Sequence, residues 1–291
     1  MLNIHPTPGI AGFDHAVIAV RDLDAAQDTY TRMGFTLTPR GHHSTGSSNH
    51  NIMAGPDNFF ELLSVPAPNP MQSYFYEFNQ KGDGMAAIAV KGSDWRAARI
   101  ALRDKGFDPA APLQLSREVK GSRSGTANFI ITNLNANFTP GAQVFICHHQ
   151  TPDLVWLPEL MVHANGATAV AAVAFITDNV ALPAGIYAKL FGTWPERIAE
   201  GLKIDTGAGA RNANESAAFA VCTRQALQAR LTGVDLPDRA RTHLAALFIR
   251  VKDRQAAYQT LRAGNFNPKR MNDGSYAIDA RDAHGVAVIF G

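Results

Sequence analysis

Residues 12–65 decide the fold: GFDHAVIAVRDLDAAQDTYTRMGFTLTPRGHH (Gly12 to His43), a Ser/Gly turn, NHNIMAG (Asn49 to Gly55) and NFFELLSV (Asn58 to Val65). The opening run is rich in Val, Ile and Ala, which suits a strand. Leu23, Ala26, Tyr30 and Met33 then recur at spacings of three and four, the period of an amphipathic helix. Asp22 is placed to cap that helix and Gly34 to end it. Three short strand-like runs follow, separated by Gly, Ser, Pro, Asn and Asp. The unit is β-α-β-β-β, with His15 on its first strand and Glu61 on its last. Glu61, between Phe60 and Leu62, is the anomaly. An unpaired carboxylate is expensive to bury, so it must meet water, a cation or a cavity. Regular alternation puts it on the face of Phe59 and Leu63, which favours a metal or a ligand-filled hollow over simple exposure. A buried pair with Arg or Lys is the bland alternative.

The same unit recurs. Ile18-Ala19-Val20 returns seventy residues on as Ile88-Ala89-Val90, followed by a helical stretch with Trp95, Ala98 and Leu102 on one face. Lys105-Gly106-Phe107 matches Met33-Gly34-Phe35, and the runs Thr126 to Leu134 and Ala142 to His149 complete a second unit. A proline-punctuated segment containing Trp156 then crosses over, and Trp156 is expected to pack between the halves. A third unit opens with AVAAVAFITDN and its helix ends near Gly192, while a fourth, opening with HLAALFIRVKD, runs to the last residue. One unit alone leaves a concave sheet face unburied, so units must pair. The expected class is α+β, with four βαβββ modules paired into two half-barrel domains, residues 1–160 and 161–291.

The chain of 291 residues is 46% hydrophobic and 18% charged, long enough for a sizeable core. A formal net charge of +2, with scattered Lys and Arg, gives no ground for a nucleic-acid partner. Cys147 and Cys222 stand far apart and are read as reduced thiols, and no apolar run reaches the roughly 18 to 20 residues of a membrane span. A cytoplasmic protein is expected. Phosphate-cradling GxxxxGK[ST], GxGxxG after a strand, GxSxG and CxxC are all absent.

Further site candidates surround the first unit. His42, His43, Asn49, His50 and Asn51 cluster between two strands, where they suit a polar substrate or a general base, or else a solvated hairpin. His50, within a strand, is expected in the cavity ahead of His42 and His43, and Asn128 is its region's counterpart in the second unit. Of the adjacent His148 and His149 only one can face inward, and the parity of Phe145 and Cys147 selects His149. Arg117, Lys120 and Arg123 form a small basic stretch, either a solvated hairpin or an anchor for a carboxylate or phosphate.

GFDHAVIAVRDLDAA with GF after the helix, GHHSTGSSNHNIM, NFFELLSV and VFICHHQTPDLVW together resemble the vicinal oxygen chelate superfamily, most closely its glyoxalase-like domain proteins. The resemblance covers the first 165 residues well. It implies a metal between the first and last strands of a module, with His15 and Glu61 at those positions; one of His148 and His149, by parity His149, would restore a third ligand. A divalent ion (zinc, nickel, manganese or iron) suits an imidazole and carboxylate set. The second unit departs from the pattern: Met85 stands at the position of His15, and its last strand has no glutamate. The third and fourth units carry Ala171 and Ala246 there, so their half is expected to lack a metal.

Two functions follow. One is a metal-assisted lyase, isomerase or dioxygenase acting on a small oxygen-chelating substrate, with Glu61 or His50 moving a proton. The other is a binding or sequestering protein of the bleomycin-resistance type that uses the same cavity without chemistry. Small-molecule substrate is the expected partner, with no nucleic acid or membrane, and a homodimer through the second half is a further expectation.

Overall fold

The computed structural model of the chain describes residues 4–207, 216–239 and 242–291. The first module is β1 (Ile10–Ala19), α1 (Leu23–Arg32), β2 (Gly41–His42), β3 (Ser48–Ile52) and β4 (Phe59–Ser64). A helix the sequence reading did not anticipate, α2 (Ser73–Gln80), leads to the second module, β5 (Gly84–Gly92), α3 (Trp95–Asp104), β6 (Leu113–Val119), β7 (Gly125–Asn133) and β8 (Gln143–His149). Asp22 caps α1 by accepting from the Ala25 amide, and Asp94 caps α3 in the same way through Arg96 and Ala97. Gly34 and Gly106 end these helices at φ of 87° and 74°, the left-handed region that glycine enters freely.

The third module is β9 (Ala167–Ile176), α4 (Ala181–Phe191), β10 (Glu196–Ile198), β11 (Gly201–Asp205) and β12 (Ala218–Cys222); α5 (Arg224–Arg230) follows. The fourth is β13 (His243–Val251), α6 (Arg254–Ala263), β14 (Lys269–Arg270), β15 (Tyr276–Ile278) and β16 (Ala287–Phe290). The strands form two eight-stranded sheets, ordered β2-β3-β4-β1-β5-β8-β7-β6 and β10-β11-β12-β9-β13-β16-β15-β14. Each is a pair of modules joined by an antiparallel contact of their first strands, β1 with β5 and β9 with β13. This is the α+β arrangement of four modules in two half-barrels that the repeat implied.

Helices α1, α3, α4 and α6 lie on the convex side of the sheets and share one core. Ala26, Tyr30 and Met33 of α1 join Ala98 and Leu102 of α3, Tyr187 of α4 and Leu261 of α6 in a single apolar cluster. Polar ties cross this layer: the Tyr30 hydroxyl donates to the Ala283 carbonyl at 3.2 Å, and the Asn58 amide brackets Val170, donating to its carbonyl at 3.0 Å and accepting from its amide at 2.8 Å. His163 accepts from the Thr36 amide at Nδ1 (3.0 Å) and donates to the Met53 carbonyl from Nε2 (2.9 Å).

The two concave faces differ. In the second sheet, Leu227 and Leu231 of α5 and its following turn, with Val234 and Leu236, pack against Ile176, Phe248, Met271 and Ile289. That hollow is filled by the chain's own side chains. In the first sheet, the edge strands β2 and β6 come together, with His43 bridged to Arg117 and the Ser44 amide donating to the Ser116 carbonyl at 3.2 Å. The sheet thereby curls around a space of about 110 Å³.

Candidate functional site

Alternation along the strands sets the lining of this cavity. β1 contributes His15 and Val17, β4 contributes Phe59, Glu61 and Leu63, and β3 contributes Asn49 and Asn51. β6 adds Leu115 and Arg117, β7 adds Phe129, Ile131 and Asn133, and β8 adds Phe145, Cys147 and His149. Phe75 of α2 and Gln72 before it cover one side. Gln72 also holds the Thr45 hydroxyl at 2.8 Å, which fixes the loop that carries His43.

β1 breaks its alternation where it matters. Phe13 opposes Val90 and His15 opposes Ala89, so Asp14 is the extra residue of a bulge. Asp14 and His15 therefore both reach the concave side, and Asp14 is completely buried. Its Oδ2 accepts from His15 Nδ1 at 2.7 Å and from His149 Nε2 at 3.0 Å. Burial pushes the Asp14 carboxyl up, but the charges and hydrogen bonds of His149 and then His15 outweigh it and hold it well below the usual carboxylate range. Asp14 is thus an ionised acceptor that fixes two imidazoles.

With Nδ1 of His15 spent on Asp14, its Nε2 faces Glu61 Oε2 at 3.6 Å. That is beyond hydrogen-bond length. On the other side of the same carboxylate, Asn49 Nδ2 donates to Oε1 at 2.6 Å, and His43 Nε2 stands 4.0 Å from Oε1. Asn49 also donates to Asn51 Oδ1 at 3.1 Å. His43 is oriented by Ser47, its Nδ1 lying 2.9 Å from the hydroxyl. Burial lowers the His43 pKa, Glu61 opposes this, and Arg117 adds to it, so the ring is a neutral base at pH 7.

The cavity residues form a chain of imidazoles and carboxylates, in the order His43, Glu61, His15, Asp14, His149. Cys147 ends it, with Sγ 3.7 Å from His149 Nε2. Burial, followed by the charges of Asp14 and Glu61, pushes the Cys147 thiol well up, so it is a neutral wall group and a poor nucleophile at neutral pH. Buried polar atoms without a hydrogen-bond partner among the described residues also gather here: Asp14 Oδ1, Asn49 Oδ1 and His149 Nδ1.

Two donor groups suit a metal ion. Asp14, Cys147 and His149 each bring one ligand atom within 4.8 Å of the others. Within that group His149 Nε2 is already bonded to Asp14. His15 Nε2 and Glu61 Oε2 are instead held facing each other by partners at their other atoms. Two donors about 2.1 Å from one tetrahedral ion stand roughly 3.4 Å apart, so the 3.6 Å separation fits. A carboxylate behind a ligating imidazole, here Asp14 behind His15, is the usual support for such a ligand.

Several sequence-derived placements are corrected. His50 does not face the cavity: β3 pairs Asn51 with Glu61 and His50 with Leu62, so His50 turns to the helix side, where its Nδ1 meets the Thr38 carbonyl at 2.8 Å. His43, at the turn, takes the cavity position instead. His42 is exposed beside the Ser48 hydroxyl. Asn128 has the wrong parity on β7, where Phe129, Ile131 and Asn133 point inward, and its side chain donates to the Thr126 carbonyl. His149 does point inward, but onto Asp14. Trp156 packs on Phe59 and His149, with ring centroids at 5.6 and 5.9 Å, and so backs the cavity wall within the first half. Arg117 separates from its basic neighbours: it is buried in the cavity wall while Lys120 is exposed. Asp14 was not foreseen, since a bulge of one residue leaves no periodic trace.

Among solved structures, a hypothetical protein from Staphylococcus aureus superposes with a TM-score of 0.67 at 14% identity, covering 96% of this chain and 98% of that one. A mutant 4-hydroxymandelate synthase from Streptomyces coelicolor gives 0.62 at 12% identity, covering 97% and 92%. A fusion of a xylose isomerase-like TIM barrel with 4-hydroxyphenylpyruvate dioxygenase gives 0.58 at 13%, covering 98% of this chain and 50% of that one. At these identities the likeness speaks for the fold. A comparison with curated proteins finds no match. Residues 13–191 match the family model described as a glyoxalase-like domain, and the chain belongs to that family.

Proposed function

We propose that the half spanning residues 1–160 is a metal-assisted enzyme cavity that moves a proton on a small, largely apolar substrate, the lyase or isomerase side of the family's chemistry. The observation that carries this reading is the free, facing pair of His15 Nε2 and Glu61 Oε2, 3.6 Å apart and each fixed from behind. These two side chains would hold the ion. Bound there, a divalent ion would supply Lewis-acid chemistry toward a substrate carbonyl or hydroxyl oxygen. Asp14 orients His15 and Asn49 orients Glu61. His43, neutral and not bonded to Glu61, is the base that takes the proton, and the Ser47 hydroxyl keeps its ring in place. Phe59, Phe129, Phe145 and Leu63 keep water from the reacting atoms.

The test is metal analysis of protein purified without a chelating column. About one divalent ion per chain is expected, lost in both His15→Ala and Glu61→Gln but kept in His43→Gln. An empty wild type, or unchanged content in the first two variants, refutes the reading.

A binding protein without chemistry is favoured by one specific observation. β5 offers Ala87 and Ala89 opposite the cavity, and Met85 is turned into the helix-side core, so no metal-ligating residue stands at the position of His15 in the second module's first strand. Thermal shifts that respond to small aromatic ligands and ignore both divalent ions and chelator would select this reading.

A further inference from the structure

Arg117 is 6% exposed, and it is the single Lys or Arg in the cavity lining. It sits at the seam where β6 meets β2, next to His43, and alternates on its strand with Leu113 and Leu115, which also face inward. Among the described residues its guanidinium takes part in no hydrogen bond and has no carboxylate oxygen within 4.0 Å. Glu61 is near enough to act on it through charge, but its Oε1 accepts from Asn49. Arg117 also borders the neighbouring hollow of Thr38, Arg40 and His42, so its guanidinium keeps some contact with solvent; a largely buried cation still favours an anionic partner, and five donors in a planar fork match a carboxylate with two parallel hydrogen bonds. The surrounding wall is apolar and aromatic, with Val17, Phe59, Leu63, Phe129 and Phe145.

We propose that Arg117 anchors the carboxylate of the ligand, and that the cavity takes small monocarboxylic acids with an aromatic or branched apolar body. One fixed cation matches one negative charge. A phosphate dianion would meet only this one cation, with the Glu61 carboxylate beside it. The proposal rests on the reading of this cavity as a small-molecule site but is independent of the metal.

The probes are phenylacetate and 3-phenylpropionate, each against its primary amide, with inorganic phosphate as the third ligand, followed by calorimetry on wild-type protein with and without chelator. Saturable binding of at least one acid is expected, about 10- to 100-fold tighter than its amide and retained in chelator, with no binding of phosphate. Arg117→Met should bring the acid down to the level of its amide, and Arg117→Lys, which keeps the charge but loses the fork, should fall between. Amides binding as well as acids, preference for phosphate, no acid bound at all, or an unchanged Arg117→Met overturns the proposal. If Arg117→Met does not fold, the acid and amide comparison on the wild type decides. Metal content separates this from the enzyme reading: a metal-free wild type that still prefers acids to amides refutes the enzyme reading alone, and a metal-loaded wild type that binds acids no better than amides refutes this proposal alone.

Discussion

Gly41 gives the sharpest test of how the site is held. It lies on β2 with a backbone that any residue adopts, so alanine brings no conformational strain. Its added Cβ, however, would stand 2.3 Å from Asn49 Oδ1. Nonbonded heavy atoms are comfortable near 3.5 Å, so the Asn49 amide must retreat by about 1 Å. The cavity side of that amide is the 2.6 Å bond to Glu61 Oε1. A hydrogen bond to a charged group contributes about 1.5–3 kcal/mol, and losing such support for a ligand typically weakens metal binding about 10- to 100-fold. Because the clashing atom is the end of a side chain, the backbone need not move, and the fold should lose no more than the about 1.5–3 kcal/mol of that one bond. Titration of a divalent ion into chelator-stripped Gly41→Ala, Asn49→Ala and the double variant measures this. Gly41→Ala should approach Asn49→Ala, and the double variant should be no worse than Asn49→Ala alone, because both act through one amide. Additive losses, or wild-type affinity in Gly41→Ala, would refute the reasoning.

Asp14→Asn should weaken metal binding about 10- to 100-fold, read by the same titration, because the amide no longer holds His15 and His149 as charged acceptor. It should also lower the midpoint of thermal unfolding, since two buried imidazoles lose their shared partner. Stability should fall as pH drops below about 6.5. Burial lowers the His163 pKa, partly opposed by its bond to Met53, so the unfolded chain binds more protons in this window and stability is complete only above it. His163→Ala should be about 2–4 kcal/mol less stable in urea melts at pH 8, with a shallower pH curve, and not a flat one, because His43 and His50 titrate in the same sense. Leu227→Ala, on the helix that fills the second hollow, should cost about 2–4 kcal/mol of stability and leave ligand binding in the first cavity unchanged.

The fold was legible because its signals are periodic and repeated. Ile18-Ala19-Val20 and Ile88-Ala89-Val90 announce the same strand twice, and Gly34 and Gly106 end the same helix twice. Short elements left weaker traces. β6 carries Arg117 inward among Leu113 and Leu115, yet its polar residues left the segment open between a solvated hairpin and an anion anchor. α5 is seven residues long, too short for a strong period, and its role in filling the second hollow depends on contacts with distant strands.

The site was legible only as far as parity is preserved. Glu61 shares its face with Phe59 and Leu63, and a regular strand carries that statement from the sequence into space. Parity along β3 is equally strict, but its phase is set by pairing with β4, which the sequence does not print; a shift of one residue exchanges His50 for Asn49 and Asn51. The bulge at Asp14 is the limiting case. It places two consecutive side chains on one face, and by doing so it sets a carboxylate behind His15 where simple alternation would put it among the helices. The residue that orients both imidazoles is therefore visible only through the strand it distorts, and the chemistry of this cavity depends on an irregularity in the most regular-looking stretch of the chain.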